Sequence, residues 1–140
     1  MNWYLKVMRQ YADFSGRARR MEYWTFTLFN GIFAMVATGV DYMVESNFVA
    51  GMYGITYLTY WLATAVPSLA VLVRRMHDVG KSGWTILFGI IPLIGTIWLL
   101  VLLFTDSQKE TNAWGPNPKV TEDHYDMIDQ FGEETEEQRF

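Results

Sequence analysis

The chain has 140 residues, a formal net charge of −4 and no cysteine; this length fits one domain, and the missing thiols exclude disulfides, thiol catalysis and thiolate metal sites. The charge is divided, with 8 basic and 5 acidic side chains in residues 1–105 and 3 basic and 10 acidic in residues 106–140. An oily, basic body with an acidic tail lacks the broad basic face of a nucleic-acid binder, so nucleic acid is not an expected partner.

The opening stretch MNWYLKVMRQYADF spaces Trp3, Tyr4, Val7, Met8 and Tyr11 close to i, i+3/i+4 and i+7. This predicts a short amphipathic helix, lying in a membrane interface or capping a helix bundle. Three runs then lack Asp, Glu, Lys and Arg altogether: 23–40, 46–73 and 82–105. A bilayer core of roughly 30 Å needs about 20 apolar residues in a helix. A charged side chain at its centre costs roughly 2.5–3.5 kcal/mol on insertion scales, so three charge-free runs are a strong membrane signal. Soluble helices are shorter and show a polar stripe, which these runs lack. The expected spans are 23–44, 53–73 and 84–104. Tyr23, Trp24, Tyr42, Tyr53 and Trp84 mark their ends, where rings with a polar tip favour the headgroup zone. No small-residue cleavage site follows the first run, which is therefore expected to be a retained anchor.

Lysine and arginine set the orientation. Lys6, Arg9, Arg17, Arg19 and Arg20 precede the first span, the next connection holds only Asp41 and Glu45, and the one after it holds Arg74, Arg75 and Lys81. Basic flanks stay in the cytoplasm. The N-terminus and the 74–83 loop are thus expected inside and the 45–52 loop outside, and three crossings would put the tail outside. The third run, WTILFGIIPLIGTIWLLVLLF, carries Gly89, Pro92 and Gly95 near its middle. Proline removes a helix hydrogen bond, so a kinked span is expected. The alternative is a re-entrant hairpin turning at 92–95, whose arms of about ten residues reach only about 15 Å and could not cross; it would return the tail to the cytoplasm.

Two junctions are alike, RRMEYWT at 19–25 and RRMHD at 74–78. Arginine forks bind lipid phosphates bidentately, and a nearby acid can hold the guanidinium on the protein side. The stretch RRMHDVGKSGW therefore has two readings. In one, its cations set topology and hold anionic headgroups while Gly80 and Gly83 allow the turn. In the other, Arg74, Arg75, His77, Asp78 and Lys81 meet the 17–22 cluster to form a polar site at the membrane surface, where His77 titrates near neutral pH. Recognised chemistries are poorly supplied. His77 and Asp78 echo a metal phosphohydrolase pair, but His124 is the only other histidine. Ser82 carries no mark of activation, and there is no Walker loop or HExxH motif. No catalytic residue, metal or cofactor is expected. Asp41, at the end of the first span, is the one ionisable group near the runs' interiors, which weighs against a self-contained coupled transporter. Ala34 with Thr38, and Thr59 with Ala63, offer small-residue contacts within the bundle or between copies.

Asn112, Gly115, Pro116, Asn117 and Pro118 predict a structured turn, with Trp114 against the bundle. Residues 1–118 form the expected membrane domain. Residues 119–140 form an acidic tail, expected to be disordered, with a docking element around 125–131 as the alternative.

The segments FSGRARRMEYW (14–24), RRMHDVGKSGW (74–84), IPLIG (91–95) and NAWGPNP (112–118), with the opening MNWYLKV, resemble the small bacterial inner-membrane proteins of the domain of unknown function 805 family. The likeness covers roughly residues 1–118. It implies that Gly16, Arg17, Arg20, Glu22, Tyr23, Trp24, Arg74, Arg75, His77, Asp78, Gly80, Ser82, Gly83, Trp84, Asn112, Gly115 and Pro116 are the motif positions. Residues 109–111 lack the family's glycine, and Ala113 stands where the family has arginine. The resemblance implies location and architecture and supplies no reaction.

The expectation is an all-α integral membrane protein with three transmembrane helices and a short interfacial N-terminal helix, in the bacterial inner membrane. Its expected role is non-enzymatic binding or scaffolding. The binding candidates are Arg17, Arg20, Glu22, Trp24, Arg74, Arg75, His77, Asp78, Lys81, Trp84 and Asn112. The expected ligands are membrane lipids, anionic headgroups among them, and a second copy or a membrane-protein partner. The alternative is an oligomeric or accessory component of a transporter or channel.

Overall fold

The computed structural model describes residues 2–45, 47–49 and 53–120. The acidic tail from 121 onward, with the 125–131 element, lies outside the described residues. The order is α1 (Asn2–Arg9), α2 (Arg20–Met43), a small antiparallel ribbon of β1 (Asn47–Val49) and β2 (Tyr53–Gly54), α3 (Ile55–Asp78), a 3-10 helix (Gly83–Ile90) and α4 (Ile94–Phe104).

α2 and α3 have 24 residues each, about 36 Å at 1.5 Å per residue, enough to cross a bilayer. They form an antiparallel pair whose outer faces are apolar: Leu28, Met35, Val36, Leu62 and Trp61 are all more than half exposed. Such faces are unfavourable in water and suit hydrocarbon. The hydroxyls on these helices are muted locally, as Thr27, Thr38 and Thr64 donate to the carbonyls of Tyr23, Ala34 and Tyr60.

α1 packs on the bundle. Val7 is buried with Ala18, Phe26 and Val71, and Tyr4 stacks on Phe26 with centroids 5.3 Å apart. Just beyond α1, Tyr11 Oη donates to Ala63 O at 2.6 Å. Pro67 has no N–H for that carbonyl, four residues before it, so the tyrosine fills the gap that proline opens in α3.

The run expected as a third span at 84–104 is not one helix. The 3-10 helix and α4 lie side by side and antiparallel: Phe88 meets Trp98 edge to face at 5.5 Å, and a Cβ on Gly89 would lie 3.8 Å from Leu99 Cδ2. The turn sits at Pro92 and Leu93. Leu93 has φ 64 and ψ −67, and Ile94 N donates to Pro92 O at 2.8 Å, which is the geometry of a γ-turn. Gly95 permits the close crossing, since a Cβ there would stand 1.8 Å from Phe88 O. An 11-residue α4 rises only about 16 Å, so both ends of this hairpin lie at the same end of α3. Leu102 and Leu103 bury there against Met76, with Ile86, Leu72 and Trp24 around them.

Candidate functional site

The charged side chains gather where α3 ends, α2 begins and the hairpin's two ends return. α3 stops through a C-terminal cap: Gly80, at φ 73, donates to His77 O, and Lys81 N donates to Met76 O at 2.9 Å. This is the Schellman pattern, with glycine at the left-handed position. It fixes Arg74, Arg75, His77 and Asp78 on a rigid last turn.

Asp78 is the centre. Its Oδ1 accepts Arg17 Nε at 3.1 Å, and its Oδ2 accepts Ser107 Oγ at 2.6 Å and Arg75 Nη1. Asp78 and Arg75 are fully buried. Arg17 uses all five of its donors. Beyond Asp78 Oδ1, Nη1 donates to Glu110 O at 2.9 Å and Gly115 O at 3.2 Å, and Nη2 to Asp78 O at 3.3 Å and Gln108 O. Arg75 reaches across to the end of α4, donating to Leu103 O at 3.4 Å and Thr105 O. These two arginines bind the segment after the hairpin to the end of α3.

A second cluster lies beside the first. Arg74 Nη1 pairs with Glu22 Oε1 at 3.2 Å and donates to Gln10 Oε1. Lys6 Nζ stands 3.0 Å from Glu22 Oε2. Glu22 is fully buried and Arg74 nearly so. Arg74 Nε and Nη2 have no hydrogen-bond partner among the described residues.

Arg17, Arg74 and Arg75, expected to reach lipid phosphates or a partner, are thus turned inward. The physical reason is that buried Asp78 and Glu22 require opposite charges, and burying either acid unpaired would cost far more than these pairings return. Arg20, Lys81 and Trp84 behave otherwise: all three are exposed, Trp84 by 79%. Trp24 stacks on Phe104 at 4.5 Å and joins the hairpin packing. Asn112 is half-buried; Nδ2 donates to His77 O at 2.9 Å, and its backbone pairs with Gly115 in both directions at 3.1 Å. The His77 ring stacks on Trp114, centroids 4.5 Å and planes 10° apart, with Nδ1 3.2 Å from Gly16 O.

At the edge of this face Asp106 meets Lys119 Nζ at 2.6 Å. That hydrogen bond, with the Ser107 N–H, holds its carboxyl below the ordinary aspartate range. Among the described residues no three His, Asp or Glu side chains gather as metal ligands would.

Sequence reasoning missed Ser107 and Gln10, and the carbonyls of Thr105, Gln108 and Glu110 that hold the arginines. Carbonyl acceptors carry no residue-type signature, so no signal was available for them. It also missed the role of Asp41. That carboxylate, fully buried, accepts Thr56 N at 3.0 Å and Tyr57 N at 2.9 Å. It caps α3 from the far end of α2, where Gly54 offers no side chain to do so.

Away from the charged face, α2 and α3 enclose a cavity of about 510 Å³ whose lining includes Thr27, Asn30, Thr64 and Ser68. Tyr60 Oη donates to Asn30 Oδ1 beside it at 2.6 Å.

The family model described as "Protein of unknown function (DUF805)" matches residues 11–116. Over 122 residues the chain is 42% identical to inner membrane protein YhaI of Escherichia coli strain K12, covering 85% of this chain and 97% of that protein. Over 123 residues it is 43% identical to inner membrane protein YhaH of the same strain, covering 86% and 98%. No solved structure matches.

Proposed function

The chain belongs to the DUF805 family, and on that footing we propose that it is a non-enzymatic binding protein of the inner membrane whose charged face holds anionic lipid headgroups or a membrane-protein partner. In this reading the N-terminus and the 74–83 loop are cytoplasmic, as their lysines and arginines favour. α2 and α3 cross, and the hairpin 83–104 enters and returns. Its turn at membrane depth presents the apolar side chains Ile90, Leu93 and Ile94 outward, and the backbone N–H groups of Ile91 and Ile94 are both satisfied within it, which lowers the cost of irregular backbone there. Residues 105–118 then lie on the cytoplasmic side, beside Arg17 and Asp78.

The division among the cations carries the binding reading. Arg17, Arg74 and Arg75 are buried in ion pairs, which leaves Arg20 and Lys81 as the exposed cations of the two motif stretches, with exposed Trp84, to meet headgroups. Both carboxylate oxygens of Asp78 are taken by Arg17, Arg75 and Ser107, which favours a structural role for this acid over acid–base chemistry.

Spin-labelled phosphatidylglycerol and phosphatidylcholine test this. The boundary of the reconstituted protein is expected to prefer the anionic lipid, in a salt-dependent way, and Arg20→Ala with Lys81→Ala to remove the preference. An unchanged preference in the double variant would overturn the reading.

A second reading, an accessory or oligomeric transport component, is favoured by the cavity between α2 and α3, whose mainly apolar lining carries the polar side chains of Thr27, Asn30, Thr64 and Ser68. It predicts that Asn30→Leu blocks solute flux while leaving the lipid preference intact.

A further inference from the structure

His77 presents its two nitrogens to different surroundings. A carbonyl can only accept, so the nitrogen 3.2 Å from Gly16 O, Nδ1, carries a proton. In the neutral ring Nε2 then offers a lone pair. Nε2 has no hydrogen-bond partner among the described residues, and it faces the Gly83 side, 3.7 Å from where a Cβ on that glycine would stand.

On that side lies a groove of about 420 Å³ between α3 and the 3-10 helix. Leu69 and Val73 line one wall and Ile86 and Leu87 the other, while His77 and Ser82 lie at one end. Leu69, Val73 and His77 are spaced four apart, so they form a single stripe along α3, about 6 Å per step. The groove therefore runs from purely apolar, toward the middle of α3, to polar at the charged face. It narrows there because Gly83 approaches closely: a Cβ would meet Val73 Cγ1 at 2.9 Å. Exposed Lys81 adjoins Ser82 at the polar end.

This polarity is that of a lipid standing in its own leaflet. We propose that the groove seats one phospholipid of the phosphatidylglycerol class, with an acyl chain along Leu69, Val73 and Leu87. The phosphate meets Lys81 and the Ser82 hydroxyl, and a headgroup hydroxyl donates to His77 Nε2. Phosphatidylcholine has no headgroup donor for that lone pair, and its cation opposes Lys81. The inference rests on the lipid-binding reading above but places a defined, saturable site within it.

Native mass spectrometry of the full chain in mild detergent, titrated with phosphatidylglycerol or phosphatidylcholine of matched chains, tests it. The wild-type chain is expected to retain one phosphatidylglycerol saturably. Leu87→Trp, at an exposed wall position, should fill the groove and abolish that site without lowering the melting temperature. His77→Phe keeps a ring against Trp114 and should weaken binding about fivefold, the worth of one hydrogen bond. Unchanged binding in Leu87→Trp, or equal retention of both lipids by the wild type, would overturn the site. A boundary preference for anionic lipid that depends on Arg20 and Lys81, with no saturable lipid, would sink the groove and leave the broader reading standing. A saturable lipid without that boundary preference supports the groove and removes the broader reading.

Discussion

Arg17 and Asp78 stand 61 positions apart in sequence, yet Arg17 Nε donates to Asp78 Oδ1 at 3.1 Å with both side chains out of solvent. Through this pair and Arg75 the segment leading into α2, the end of α3 and the end of α4 are joined at one point. The network gathers the motif residues, but its donors and acceptors are directed at each other.

Removing the acid from this knot leaves two buried guanidinium groups facing each other. Asp78→Asn is therefore expected to destabilise by about 3–5 kcal/mol, the usual cost of breaking a buried pair. Arg17→Ala should cost a similar amount, and Arg17→Ala with Asp78→Asn less than the sum, because the residues share partners. Melting curves in mild detergent check this, and additive losses would show that the two act independently.

Asp106 and Lys119 provide the contrast, since their side chains are 54% and 38% exposed. Solvent screens such a pair, so Asp106→Asn should change stability little, within about 0.5 kcal/mol. The folded carboxyl titrates below the unfolded one. Its small contribution is therefore present above the ordinary aspartate range and lost as pH falls through the lowered value. A pH series comparing wild type and variant should show curves that differ above about pH 4 and converge below it.

The hairpin makes a sharper demand. Gly95→Ala would place a methyl 1.8 Å from Phe88 O, a backbone atom that cannot rotate away. Gly89→Ala would meet only Leu99 Cδ2, at 3.8 Å. Gly95→Ala is expected to abolish monodisperse expression, and Gly89→Ala to be tolerated. Normal behaviour of Gly95→Ala would mean that the two arms do not cross as described.

The Gly89, Pro92 and Gly95 pattern made the break in the third run legible, but not its outcome. A kink and a hairpin differ by contacts between Phe88 and Trp98, and between Arg75 and Thr105, that no local pattern encodes. The membrane character was legible because absence of charge over a long run is a property of the chain itself. The meeting of Arg74, Arg75 and Asp78 with the 17–22 cluster was legible as one of two readings of the stretch 74–84. Which arginines face inward was not, because that depends on carbonyls contributed by the far end of the membrane domain.

Asp41 caps α3 from α2, taking the N–H groups of Thr56 and Tyr57. Asp41→Ala should cost about 1 kcal/mol, as loss of a helix cap commonly does. The loss should be local: hydrogen exchange at Thr56 and Tyr57 should quicken while amides near Val71 keep their protection. Uniform acceleration along α3 would show instead that Asp41 governs the whole helix.

The absence of native cysteine allows topology to be read directly. Single cysteines at Glu45, Lys81 and Asn112, all exposed or half-buried, can be probed in intact cells with a maleimide that cannot cross the inner membrane. A re-entrant hairpin predicts labelling at Glu45 alone, since Asn112 shares the side of His77, whose carbonyl it binds at 2.9 Å. Three crossings would label Asn112 as well, and would require that hydrogen bond and the Arg17 and Arg75 contacts to Gln108, Glu110 and Thr105 to be broken in the membrane. The buried donors so released would each cost about 1–3 kcal/mol. The energetic weight therefore falls on protection at Asn112, and labelling there from outside would contradict the packing of the charged face as a whole.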